Sequence, residues 1–154
     1  MKETERISGL IKALYNGHPW LDVNMMDNLS KLTWLQAGRK VHPRLNTIWE
    51  IVDHLVSWRL NVLQRVQGEV IKTPADNYFA PVTERTEGDW TATLDRFQVS
   101  QDAWIQFLEQ AGDETLEGVY PVNHMTYYEQ IHGIIQHDAY HLGQIVLLAK
   151  LLEE

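Results

Sequence analysis

The chain of 154 residues is the size of one ordinary domain, and its 44% hydrophobic content is enough for a packed core. With 13 Lys and Arg against 21 Asp and Glu, its formal charge of -8 has the wrong sign for neutralising phosphates, so nucleic acid is not an expected ligand. Cysteine is absent, which excludes disulfides, thiolate metal sites and cysteine nucleophiles and leaves His, Asp and Glu as the strong metal ligands.

The opening segment MKETERISGLIKALY mixes charges with spaced apolar residues and lacks the continuous apolar run of a signal peptide. No apolar stretch approaches the roughly 20 residues that span a bilayer, so the expectation is a cytoplasmic protein with no membrane partner. Ile7, Leu10, Ile11 and Leu14 recur at helical spacing and predict a first helix from Glu3 to Tyr15, stopped at Asn16-Gly17. The segment from Asn24 to Gly38 predicts a shorter helix or two helical turns, and Pro43 separates it from the next helix.

From Leu45 to Val66 the apolar set Ile48, Ile51, Val52, Leu55, Val56, Trp58, Val62, Leu63 and Val66 keeps helical periodicity, with Asn46 or Thr47 as the cap and Gly68 as the stop. Residues 69–88 hold Pro74, Pro81 and Gly88 with little periodicity and predict a long connection of the kind that lines pockets. A third long helix runs from Asp89, taken as its N-cap, to Ala111, and Gly112 ends it. The fourth carries Ile131, Ile134, Ile135, Leu142, Ile145, Leu148 and Leu151. Four main helices without a strand pattern predict an all-α, antiparallel four-helix bundle formed by residues 1–154 as one domain.

The segment HDAYHLGQI places His137 and His141 four residues apart, so at about 100° per residue both imidazoles leave one helix face, one turn apart. Both lie within about 60° of Ile134, Ile145 and Leu148 and so point inward. His54 shares a face of the second long helix with Ile51, Trp58 and Val62. One His facing two others makes a three-nitrogen set, the donor count of a catalytic zinc site with a fourth position open, and nickel suits imidazole as well. Spacing alone leaves another reading open, because a lone inward His is commonly a hydrogen-bonded core residue. His18, His42, His124 and His132 read as surface or loop residues, His132 being rotated about 140° from His137.

Asp138 comes directly after His137, where the pattern H-E-x-x-H places its glutamate base, but Asp is shorter. It reads as a catalytic candidate, an acceptor for an imidazole N–H, or a solvated charge. The six tryptophans read as core or pocket wall.

The segments NTIWEIVDHLVSWR around His54 and QHDAYHLGQIVLL around His137 and His141 resemble the signature segments of the DinB/YfiT-like family, and PVTERTEGDWTATLDRF is similar to its loop before the third helix. The likeness spans essentially the whole chain. It implies a four-helix bundle with a long crossover, a divalent metal on His54, His137 and His141, and frequently a homodimer. It also implies one of two activities on small molecules, transfer of a low-molecular-weight thiol such as bacillithiol to an electrophile or metal-dependent hydrolysis; the alternative of a different class is a stress-response bundle that binds a metal or small ligand without catalysis. Thiol transfer is the leading expectation, since the nucleophile would then come from the cosubstrate.

Overall fold

The computed structural model describes residues 1–83 and 85–153; Glu84, within the predicted long connection, and Glu154 lie outside the described residues. Six helices are present among them: α1 (Glu3–Asn16), α2 (Met25–Leu29), α3 (Trp34–Ala37), α4 (Ile48–Val66), α5 (Glu87–Gln110) and α6 (Tyr127–Leu152), with a 3-10 turn at Asp113–Glu117. The only strand-like pairing among the described residues is an isolated antiparallel bridge between Val119 and Thr126. The predicted element at 24–38 is two short helices, because Asn24 and Thr33 each cap a separate start.

The long helices begin on one repeated device. Thr47, Thr86 and Thr126 each accept a hydrogen bond from the backbone N–H three residues on, and the acidic side chain there accepts one from the threonine's own N–H. Such capping boxes contribute about 1 kcal/mol each by satisfying two donors that the first turn leaves without partners. The cap of α5 is therefore Thr86, with Asp89 as the reciprocal acceptor, which corrects the sequence expectation that Asp89 is the N-cap.

α4 packs on α5 and α6, α1 packs on α5 and α6, and α2 lies against α1 and α6. The core comes in two clusters. One contains Leu14, Met25, Trp49, Leu55, Phe97 and Leu142; the other contains Ile7, Ile11, Val62, Trp104, Leu108 and Ile134. Between them, along α4, α5 and α6, lie Arg59, Gln101 and Asp138, all buried. Arg59 donates from Nε and Nη2 to Asp138 Oδ2 at 3.0 and 2.7 Å, and from Nη1 to Gln101 Oε1 at 2.9 Å. Its guanidinium also lies over the Phe97 ring, 4.8 Å from the centroid. A polar layer thus crosses the apolar core and joins three helices.

No helix among the described residues is long and apolar enough to cross a membrane.

Candidate metal centre

α4 supplies His54 and α6 supplies His137 and His141. The two α6 rings stand 4.6 Å apart between centroids, as one-turn spacing requires, and the His54 ring lies 4.9 and 4.8 Å from them. One donor nitrogen from each residue lies within 4.8 Å of the others. His54 and His141 are buried, at 1% and 6% exposure, and His137 is half-buried.

Hydrogen bonds set the tautomers. His54 Nδ1 is 2.7 Å from the carbonyl oxygen of Asn77; a carbonyl only accepts, so the proton sits on Nδ1 and a neutral ring presents a lone pair at Nε2. His141 Nδ1 is 2.6 Å from Gln144 Oε1 and is fixed the same way. The 2.9 Å approach of His137 Nε2 to His54 Nε2 is a hydrogen bond when His137 carries its proton on Nε2, and His137 Nδ1 is then a buried atom without a partner. With that proton on Nδ1 instead, three lone pairs converge. Three neutral imidazoles so presented fit a borderline divalent cation.

All three rings favour the neutral form. Burial pushes His54 and His137 down from the usual 6.5 to about 4, reinforced for each by charge on its neighbours, and burial also lowers His141.

Asn77, Tyr78 and Phe79, in the connection between α4 and α5, close one side of this centre. Asn77 and Tyr78 take consecutive left-handed conformations, φ 54° and 61°, which is costly for a tyrosine. The conformation turns the Asn77 carbonyl onto His54 and lays Phe79 flat on the same imidazole, centroids 3.8 Å apart and planes within 10°. Asn77 Oδ1 accepts from Trp58 Nε1 at 2.9 Å, and the Tyr78 hydroxyl accepts from Asn61 Nδ2 at 2.8 Å. These side chains hold the turn in place. Sequence reasoning placed a loop here but did not find Asn77 or Phe79, since no periodicity announces a left-handed pair.

Asp138 is 1% exposed and committed to Arg59, so the solvated reading is corrected. Arg59 went unnoticed in the sequence, yet the signal was there: it interrupts the apolar stripe of α4 between Leu55 and Val62, and a charge in that place needs a buried counterion. His18, His42 and His124 are exposed as expected. His132 is half-buried, its ring 4.3 Å from that of Tyr128, which corrects its reading as a surface residue. Trp49, Trp90 and Trp104 are core and Trp58 lines a cleft, whereas Trp20 is 98% exposed.

That cleft, about 410 Å³, runs from His137 past Gly133, Trp58, Arg65, Asn77 and Glu129. A hollow of similar size elsewhere, bordered by Leu63, Gln67, Phe107 and Thr115, contains no ionisable side chain.

The described residues are helical, and three inward histidines from two facing helices form a cluster that could hold a metal ion. The DinB superfamily model matches residues 16–145, and the chain belongs to that superfamily. Neither the curated proteins nor the solved structures gave a significant match.

Proposed function

We propose that the protein is a divalent-metal-dependent enzyme, one antiparallel four-helix bundle with residues 67–86 as its crossover, that transfers a low-molecular-weight thiol to an electrophilic small molecule. His54, His137 and His141 are the metal ligands, and zinc or nickel suits their nitrogens. The carrying observation is the pair of Nδ1 hydrogen bonds, to Asn77 O and Gln144 Oε1, that turn two Nε2 lone pairs toward a third imidazole. Anchoring the second ring nitrogen in this way is the habit of metal-ligating histidines.

When bound, such a cation supplies a Lewis acid that holds a thiol as thiolate at neutral pH. The chain's own residues keep the three rings neutral, shield one side with Phe79 and leave the cleft beside His137 for the substrate. Hydrolysis would need a carboxylate placed to move protons; the oxygens of Asp138 face Arg59, and Glu129 in the cleft wall has its Oε2 engaged at Thr126. That commitment favours the thiol reading and assigns Asp138 a positioning role. We place the protein in the cytoplasm, where such thiols are kept reduced. The exposed Tyr140, Leu147 and Leu151 of α6 offer a face for a homodimer.

Elemental analysis of untagged protein beside the triple variant His54→Ala, His137→Ala, His141→Ala tests the centre: near-stoichiometric zinc or nickel is expected in the wild type alone. Metal-loaded protein given bacillithiol and monochlorobimane is then expected to form the sulfur–carbon bond with release of chloride. Ester turnover without thiol would replace transfer by hydrolysis, and absence of metal from both proteins would overturn the reading.

A further inference from the structure

Arg65 differs from the other partly or wholly buried arginines. Arg59 is paired with Asp138 and Arg85 with Asp53. Arg65, at 9% exposure, has no carboxylate within ion-pair distance among the described residues. Its Nη1 and Nη2 reach only the neutral oxygens of Gln130 and Thr73, at 3.4 and 3.2 Å, and its buried Nε has no acceptor.

The side chain is held between two aromatic faces, its guanidinium carbon 5.4 Å from the Trp58 centroid and 4.7 Å from that of Tyr120. These rings, and its place in the last turn of α4, offset part of the cost of burying a charge. They supply no anionic oxygen. Arg65 also lines the cleft that His137 borders, with Trp58, Val62, Met125 and Ile134 as apolar wall.

A second observation concerns the same wall. Gly133 lies inside α6, where glycine costs roughly 0.5–1 kcal/mol relative to alanine. A Cβ built there meets nothing within 4 Å, so packing does not require glycine. What the missing side chain preserves is open space in the cleft, one turn from His137.

We propose that this cleft binds a small, largely apolar molecule through a carboxylate, with Arg65 as the anion-recognising residue and Gly133 as the position that leaves room for its body. The inference deepens the functional reading by naming the substrate class, and it rests on that reading only for the carboxylate compound being an enzyme's substrate. Glu129, which also lines the cleft, works against the anion, although its Oε2 is engaged in capping Thr126. The fork of a guanidinium matches a carboxylate in both shape and charge.

The probe pair is 3-phenylpropionate and 3-phenylpropanamide, titrated calorimetrically into chelator-treated, metal-free wild-type protein so that no carboxylate–metal contact contributes. The acid is expected to bind about tenfold tighter than the isosteric amide, the scale of one charge-assisted hydrogen bond. R65Q is expected to abolish this preference, while E129Q strengthens acid binding. Gly133→Ile, which leaves Arg65 untouched, is expected to weaken acid and amide alike. Equal affinity for the two probes in the wild type, an intact preference in R65Q, or undiminished binding in Gly133→Ile would each overturn the proposal. Inorganic phosphate binding more tightly than the acid would also overturn the carboxylate assignment. Because metal is absent throughout, failure here leaves the histidine centre standing, and failure of the elemental analysis leaves this site standing.

Discussion

His54 Nδ1 donates to the carbonyl oxygen of Asn77 across 2.7 Å, so a backbone group of the crossing loop decides which nitrogen of an α4 imidazole carries the proton. Gln144 Oε1 does the same for His141 from within α6. Both acceptors act on the ring nitrogen opposite the one offered to the centre.

Gln144→Leu removes one of these acceptors without touching a ligand. Metal affinity is expected to fall about 10- to 100-fold, with helical content unchanged. Competition against a chromophoric chelator gives the affinity, and an affinity equal to that of the wild type would show that the His141 tautomer is set some other way.

Phe79→Ala uncovers the His54 ring while keeping the Asn77 carbonyl available. Water gains access to that side of the centre, and metal dissociation is expected to quicken. Stopped-flow transfer of metal to a strong chelator measures the rate, and an unchanged rate would deny Phe79 its shielding role.

Between pH 6.5 and 4, part of the pH dependence of the metal-free protein arises from imidazoles that are harder to protonate folded than unfolded. His54 and His137 fall to about 4 in the fold, against about 6.5 in the unfolded chain. Between these values the unfolded chain binds more protons, so stability is full above pH 6.5 and declines as pH falls toward 4. The triple alanine variant is expected to lose much of this slope, which urea midpoints at pH 7, 5.5 and 4.5 will show; parallel slopes would contradict it. Metal binding, likewise, is expected to persist to about pH 5, lower than free imidazoles would allow.

Asp138→Asn leaves the Arg59 guanidinium buried without its counterion. A loss of roughly 3–5 kcal/mol is expected, and the double change Arg59→Met, Asp138→Leu is expected to recover much of it. Urea unfolding of the three proteins decides. Full stability in Asp138→Asn, combined with lost turnover, would return Asp138 to the catalytic role that the H-D-x-x-H spacing suggested.

Much of this was legible in the sequence because helices advertise themselves. The apolar stripes of α1, α4 and α5 gave their extents to within a few residues, that of α6 marked the helix without bounding it, and one-turn spacing put His137 and His141 on one face. Joining His54 to them needed the resemblance as well, since periodicity does not say which face meets which. The start of α5 was misjudged by three residues because Thr86 and Asp89 are both good caps, and only the reciprocal bond shows which one leads. The roles of Asn77 and Phe79 depend on backbone conformations without a pattern, and that of Arg65 depends on which carboxylates are absent around it, a property of three dimensions.

Asp138 sits between His137 and His141 in the chain, so whatever fixes its depth along α6 also fixes the height of both rings opposite His54. An apolar core tolerates a helix that slides or rotates by a fraction of a turn, since one methyl group replaces another. The bidentate pair of Arg59 with Asp138 does not, because its bonds are directional. The pair therefore serves as an index mark between α4 and α6, and a chain repacked there with hydrocarbon would be free to gain stability while its three imidazoles drifted out of alignment.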